Sequence, residues 1–287
     1  MNSTIVTDRT HRAVSADGTA IVGRVRGDGP PLVLVHGNIA DGLSEWGELV
    51  PLLADRFTCY LPDLRGRGLS DDHPDHSGEA RVQDVVAFVE SIGGPVGLVG
   101  ASGGGMVALG AAARTDAIAA LSVFEPPVFE AIDADTLARF QAAIDALAAG
   151  IAADRPHEAV RPFLELVANE EEVAALAADD GAMDDLAAYL PADLAEFRDA
   201  VASEGPSPTA AEVLARIEAP TLLLHGSRTA AAAWFQSATR FVAHHVIDVT
   251  VREVVGIGHL GHVLAPERIA AELVPFFESP MKRDDSR

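Results

Sequence analysis

The chain has 287 residues, 48% of them hydrophobic, enough to bury a full core as one large domain or as a domain plus a lid, and this excludes a disordered protein. Its 43 acidic side chains against 21 Lys and Arg leave a net charge of −22, a field that repels nucleic acid and anionic membranes, so neither is an expected partner. No apolar run reaches the roughly 18–20 residues of a membrane span, and the polar stretch Met1–Gly18 has no apolar centre for a secretory signal, so a cytoplasmic location is expected.

Two short β-like runs, 12–16 and 19–26, flank Asp17-Gly18, a turn pair that predicts a hairpin. The continuous apolar run 31–35 predicts a strand buried on both faces, ending at His36-Gly37. A helix over 45–54 and a strand over 57–61 follow. The spacing of Val82, Val85, Val86, Phe88 and Val89 predicts a helix over 78–92. A buried strand over 95–99 leads directly into Gly100-Ala101-Ser102-Gly103-Gly104-Gly105, then a helix over 106–114 and a strand over 118–124 that stops at Glu125-Pro126-Pro127.

From about 128 to 217 the chain is rich in Ala, Asp and Glu with helical spacing and no evident strand, punctuated by Gly150, Pro156, Pro191 and Pro206. Alternation resumes with a strand over 220–224, a helix over 231–245, a strand over 249–255 and a last helix over 266–278, before a polar tail. Strands alternating with helices predict an α/β fold with a mostly parallel sheet flanked by helices. The expected division is a core of 1–127 and 218–279, an inserted helical lid of 128–217 over the C-terminal edge of the sheet, and a tail of 280–287.

Gly100–Gly104 reads G-x-S-x-G between a buried strand and a helix. There the tight turn lifts Ser102 into a cleft at the head of the helix, whose N-terminus and Gly103 amide stabilise a developing oxyanion. The same five residues in another context would be a glycine-rich packing turn. The loop His36-Gly37-Asn38-Ile39-Ala40 supplies the second candidate donor, the Asn38 backbone N–H, with His36 as a structural anchor. Cys59 is the only cysteine, so no internal disulfide forms, and its apolar surroundings predict a buried small hydrophobe. Lys282 is the only lysine and sits in the polar tail, which excludes lysine-based chemistry.

The combination of Leu34-Val35-His36-Gly37, Pro62-Asp63-Leu64-Arg65-Gly66-Arg67-Gly68-Leu69-Ser70, Gly100–Gly104, Pro220–Gly226 and Gly256-Ile257-Gly258-His259, in that order, resembles the α/β-hydrolase superfamily in its lid-bearing esterase, lactonase and C–C hydrolase branch. The resemblance implies an eight-stranded sheet, a helical cap and no metal or organic cofactor. It also implies that His259 is the general base, taking the serine proton and returning it to the leaving group. His262 reads as structural or substrate-lining, and Asp63 and Arg65 as structural.

The acid departs from the family pattern. Most relatives carry an Asp three residues past the glycine that follows the strand of 220–224, where this chain has Thr229, and no Asp or Glu occurs from Ser227 to Val246. Glu125, at the end of the strand after the nucleophile helix, is where some relatives carry their acid, and it completes the candidate catalytic set Ser102, His259 and Glu125. The alternative makes Glu125 a lid hinge and the site a Ser–His dyad.

A serine nucleophile suits attack on a carbonyl, because opening an epoxide or displacing a halide on this fold requires a carboxylate. Hydrolysis of a small-molecule carboxylic ester or lactone through an acyl-serine is the simplest expectation, with C–C bond hydrolysis or thioester cleavage as alternatives. A weakened homologue that binds a ligand without turnover is a different class of reading, which labelling of Ser102 by a serine-reactive probe separates from an enzyme. The lid aromatics Phe129, Phe140, Phe163, Tyr189 and Phe197 are expected to pack the lid.

Overall fold

The computed structural model describes residues 9–178, 180–202 and 205–281. The start of the polar N-terminal stretch, 1–8, and the tail from Lys282 onward lie outside them.

Strands β1 (Arg9–Val14) and β2 (Ala20–Arg26) pair antiparallel across the turn, where the Asp17 carboxylate accepts the Thr19 amide at 3.0 Å. β3 (Pro31–Val35), helices α1 (Gly42–Trp46) and α2 (Val50–Leu53), and β4 (Thr58–Pro62) follow. The expected helix over 45–54 is thus two. Asp41 caps the first, accepting the Leu43 and Ser44 amides, and Pro51 has no amide with which to continue it, so the chain restarts there.

Then come α3 (Gly78–Ile92), β5 (Val96–Ala101), α4 (Ser102–Ala112) and β6 (Ile118–Phe124). Between β6 and the next strand lie, among the described residues, a 3-10 turn, Phe129–Ala131, and the helices α5 (Ala134–Ala152), α6 (Pro156–Val167), α7 (Glu170–Ala177), α8 (Asp180–Ala202) and α9 (Ala211–Leu214). Pro156 starts α6 as expected, but Gly150 and Pro191 lie inside α5 and α8. Gly150 is where α5 crosses α6, and a Cβ there would collide with Ala159. The chain closes with β7 (Thr221–Gly226), α10 (Ala232–His245), β8 (Val249–Val254), α11 (Gly261–Leu264) and α12 (Pro266–Met281). α11 was not visible in the sequence, and α12 runs through the residues expected to begin the tail.

The eight strands form one sheet in the order β1-β2-β4-β3-β5-β6-β7-β8, antiparallel at β1–β2–β4 and parallel from β4 onward. Alternation along the central strands divides the core in two. Val33, Val35, Leu121, Val123 and Leu223 face α3, α4 and α10 on one side. Leu32, Leu34, Phe124, Leu222 and Leu224 face α2 and α12 on the other. A third apolar cluster joins α5, α6 and α8 to Ile39 of the loop after β3 and to Trp234 and Phe235 of α10.

From β3 the chain crosses one way to β4 and the other way to β5, so the carboxyl ends of β3 and β5 flank a topological switch point, where open α/β sheets bind ligands. Among the described residues, no helix is long and apolar enough to cross a membrane.

Candidate active site

Ser102 is the first residue of α4 and has φ +48°, a left-handed conformation that a serine keeps only where its surroundings impose it. The glycines make this turn possible. A Cβ at Gly100 would stand 2.5 Å from the Gly104 carbonyl oxygen, and one at Gly104 would collide with the carbonyl oxygens of Val35 and His36. No side chain caps α4, so its first-turn amides, including that of Gly103, are left to a ligand.

His259 lies in the loop between β8 and α11 and is buried. Its Nε2 is 3.1 Å from Ser102 Oγ, and its Nδ1 is 2.7 Å from Glu125 Oε2. The imidazole stacks on Phe235, with ring centroids 4.8 Å apart, and more distantly on Phe124. The structure therefore brings Ser102, His259 and Glu125 into one hydrogen-bonded chain although they follow three different strands, β5, β8 and β6.

Glu125 is 1% exposed and has φ +44°, so the backbone is bent to aim this side chain. Its second oxygen, Oε1, accepts the Gly226 amide at 2.9 Å and the Thr229 hydroxyl at 2.5 Å. Thr229, at the position where the family resemblance leads one to expect an Asp, thus donates to the Glu125 carboxylate. Both oxygens of Glu125 therefore have hydrogen-bond partners, as a buried carboxylate needs.

The loop after β3 holds the other predicted donor. The Asn38 amide makes no hydrogen bond among the described residues, whereas its neighbours on either side are tied down. Gly37 N–H donates to Glu45 Oε2 at 2.8 Å, and Ile39 N–H lies 3.1 Å from both oxygens of Asp193. His36 is fully buried between two loops, accepting the Leu64 amide at Nε2 (3.0 Å), so its Nδ1 carries the proton given to the Gly37 carbonyl (2.8 Å). Burial, then the Arg67 charge, hold the His36 pKa below its ordinary value.

His262 pairs through Nε2 with Glu45 Oε1 at 3.0 Å and packs on Trp46 and Phe124. Asp63 accepts the Gly42 and Leu69 amides, and Arg65 makes a two-pronged bond to Asp84, so both fasten loops.

The inserted helices reach this machinery directly. Glu172 of α7 accepts the Leu260 amide at 2.9 Å, one residue past His259. Asp193 and Glu196 of α8 bind Arg67, Arg81 and the Asn38 side chain. Phe129, Phe140, Phe163 and Phe197 pack on one another and on Trp234, while Tyr189 gives its hydroxyl to Asp41 at 2.7 Å.

A family model described as the alpha/beta hydrolase family matches residues 32–272, from the first parallel strand into the last helix. The chain belongs to the alpha/beta hydrolase family.

A solved alpha/beta hydrolase from Sphaerobacter thermophilus DSM 20745 is 30% identical with a TM-score of 0.73, covering 93% of this chain and all of that one. A solved esterase from Rhodococcus sp. ECU1013 is 25% identical with a TM-score of 0.70, covering 94% of this chain and 99% of that one. Among curated relatives, a cis-3-alkyl-4-alkyloxetan-2-one decarboxylase of Xanthomonas campestris pv. campestris is 38% identical over 94 residues, 29% of this chain and 31% of that protein. A soluble epoxide hydrolase of Corynebacterium sp. (strain C12) is 37% identical over 105 residues, 36% of each. The chain therefore spans about a third of the length of these curated relatives.

Sequence reasoning missed the contacts that Thr229, Glu45, Glu172 and Asp193 make around the candidate site of this alpha/beta hydrolase family member. Thr229 stood out only as the wrong residue for an acid. Glu172 and Asp193 lie in an acidic helical stretch where nothing local separates a buried carboxylate from a solvated one.

Proposed function

We propose that this protein is a serine hydrolase that cleaves a small-molecule carboxylic ester or lactone through an acyl-serine intermediate. The observation that carries the reading is the buried chain Ser102 Oγ, His259, Glu125, with links of 3.1 and 2.7 Å, set on a strained turn at the head of α4. Ser102 Oγ attacks the carbonyl carbon while His259 Nε2 takes its proton. Glu125, held by Gly226 and Thr229, fixes the tautomer and stabilises the imidazolium. The carbonyl oxygen gains the electron pair and is met by the amides of Asn38 and Gly103. Collapse expels the alcohol, which takes the proton from His259. Water, activated by the same histidine, then releases the acid.

Residues 128–217 act in this reading as a lid over the site, with 1–127 and 218–279 as the core. The apolar cluster that includes Ile39, Trp234 and Phe235 favours a neutral, apolar acyl group. The similarity to the Rhodococcus esterase supports an ester over other carbonyl substrates. The epoxide hydrolase likeness does not transfer its reaction, since ring opening needs a carboxylate where this chain has Ser102.

The test is hydrolysis of p-nitrophenyl esters of increasing acyl length by the wild type and by Ser102→Ala. Activity that is lost in the mutant is the expected result. Equal rates in the two would remove Ser102 from the chemistry, and inertness of both would turn the search to C–C or thioester cleavage or to ligand binding.

A further inference from the structure

The loop that carries Asn38 is not shaped by the core alone. Ile39 has φ +53°, a left-handed conformation that a β-branched side chain resists, so something outside the residue must hold it. The holder is Asp193, on α8 of the inserted helices. Its fully buried carboxylate receives the Ile39 amide, at 3.1 Å from each oxygen, and the Asn38 side-chain amide at 3.1 Å.

The carboxylate is itself immobilised. Arg67 grips it with two nitrogens at 2.8 and 3.1 Å. Glu196, one turn along α8, takes the Asn38 side-chain Nδ2 at 2.7 Å and an Arg81 nitrogen at 2.6 Å. Two guanidinium groups and two carboxylates thus form a buried, charge-balanced group in which the charges are paired, although the Nε atoms of both arginines have no partner among the described residues. On the other side of Asn38, the Gly37 amide is pinned by Glu45. The Asn38 N–H therefore lies between two anchored peptides.

We propose that Asp193 is a positioning residue of the oxyanion hole: by accepting the Ile39 amide and the Asn38 side chain, it aims the Asn38 N–H at the carbonyl oxygen bound to Ser102. The proposal rests on the acyl-serine reading above. It makes seating of α8 and assembly of the oxyanion hole one event, so that a displacement of this helix admits substrate to a site that is not yet able to react.

The test uses the full chain and a fluorophosphonate probe, which phosphonylates a nucleophilic serine with loss of fluoride and needs no knowledge of the natural substrate. The rate of labelling at Ser102, kcat and KM on the best p-nitrophenyl ester, and Tm are measured together. Asp193→Ala is expected to lower labelling and kcat about 100-fold with KM little changed, the scale of losing one oxyanion donor. Asp193→Asn keeps a carbonyl oxygen for the Ile39 amide but no charge for Arg67, so its rates stay within about tenfold of wild type while its Tm falls. A purely structural role would make the rates follow Tm in both variants.

Should Asp193→Ala fail to fold, Arg67→Met/Asp193→Leu removes both buried charges in apolar shape. It is expected to fold and still be about 100-fold slow. Wild-type labelling rates in the Ala variant or the double variant, or an Asn variant as slow as Ala, overturn the proposal. Failure of the underlying reading looks different: the wild type takes no label, or Ser102→Ala takes as much.

Discussion

Glu125→Gln isolates the acid without changing its shape. In the wild type, Glu125 Oε2 stands 2.7 Å from His259 Nδ1 in a site where both groups are buried, so this bond is out of reach of solvent. Gln retains an oxygen for the Gly226 amide and the Thr229 hydroxyl, which fixes the rotamer. Its NH2 group then faces His259 Nδ1 and stabilises the tautomer with the proton on Nε2, which cannot accept the proton of Ser102. A wrong tautomer and an unstabilised imidazolium cost about 10⁴ in kcat, or about 5.4 kcal/mol at 1.36 kcal/mol per decade. Stability should change by no more than about 1.5 kcal/mol, since the hydrogen-bond count is kept. The assay is kcat on a p-nitrophenyl ester beside a thermal melt. Moving the acid supplies a second arm: position 229 touches Glu125, so Glu125→Gln/Thr229→Asp places a carboxylate where most relatives have one and should recover at least about tenfold of the loss. A Glu125→Gln enzyme within tenfold of wild type, at unchanged Tm, would refute the reasoning and leave a Ser–His dyad.

Three further outcomes test the frame around the site. Gly104→Ala pushes a methyl group into the carbonyls of Val35 and His36, so it should destabilise the protein by about 1–3 kcal/mol and abolish serine labelling in whatever remains folded, read by urea titration and probe uptake. His36 is held neutral with a folded pKa below its unfolded value of 6.5, so the stability it contributes is full above that value and is lost as pH falls through it. His11, lowered by burial, adds with the same sign. Urea midpoints from pH 7.5 to 5.5 should therefore decline in the wild type and less steeply in His36→Gln, and equal slopes would contradict the assignment. Burial pushes the Cys59 thiol up to about 12, so a thiol reagent should leave it untouched in the folded protein and modify one site per chain in denaturant.

The parts of the fold readable in the sequence are those set by local pattern. The apolar run Pro31–Val35 and the periodic Gly78–Ile92 appear as expected because burial on two faces and on one stripe leave different spacings. Ser102 was picked out by its strand–turn–helix motif and His259 and Glu125 by the family resemblance, and the fold brings the three into hydrogen-bond contact. What was not legible depends on contacts between distant segments. The α4 helix begins at Ser102, ahead of its three glycines, because the close passage of β3 demands glycine there in spite of its poor helix propensity. Asp193 and Asn38 are 155 positions apart, and only the folded chain shows which of the many acidic side chains in the insertion is buried. Thr229 has meaning only beside Glu125, so its sequence position marked a departure and not a partner.

The central claim is that Ser102 is the nucleophile, and peptide mapping after exhaustive fluorophosphonate labelling tests it most directly. One phosphonyl group per chain, located on Ser102 and absent from the Ser102→Ala and heat-unfolded proteins, is the expected result. Label on a different residue, or none on a folded wild type, would contradict the account.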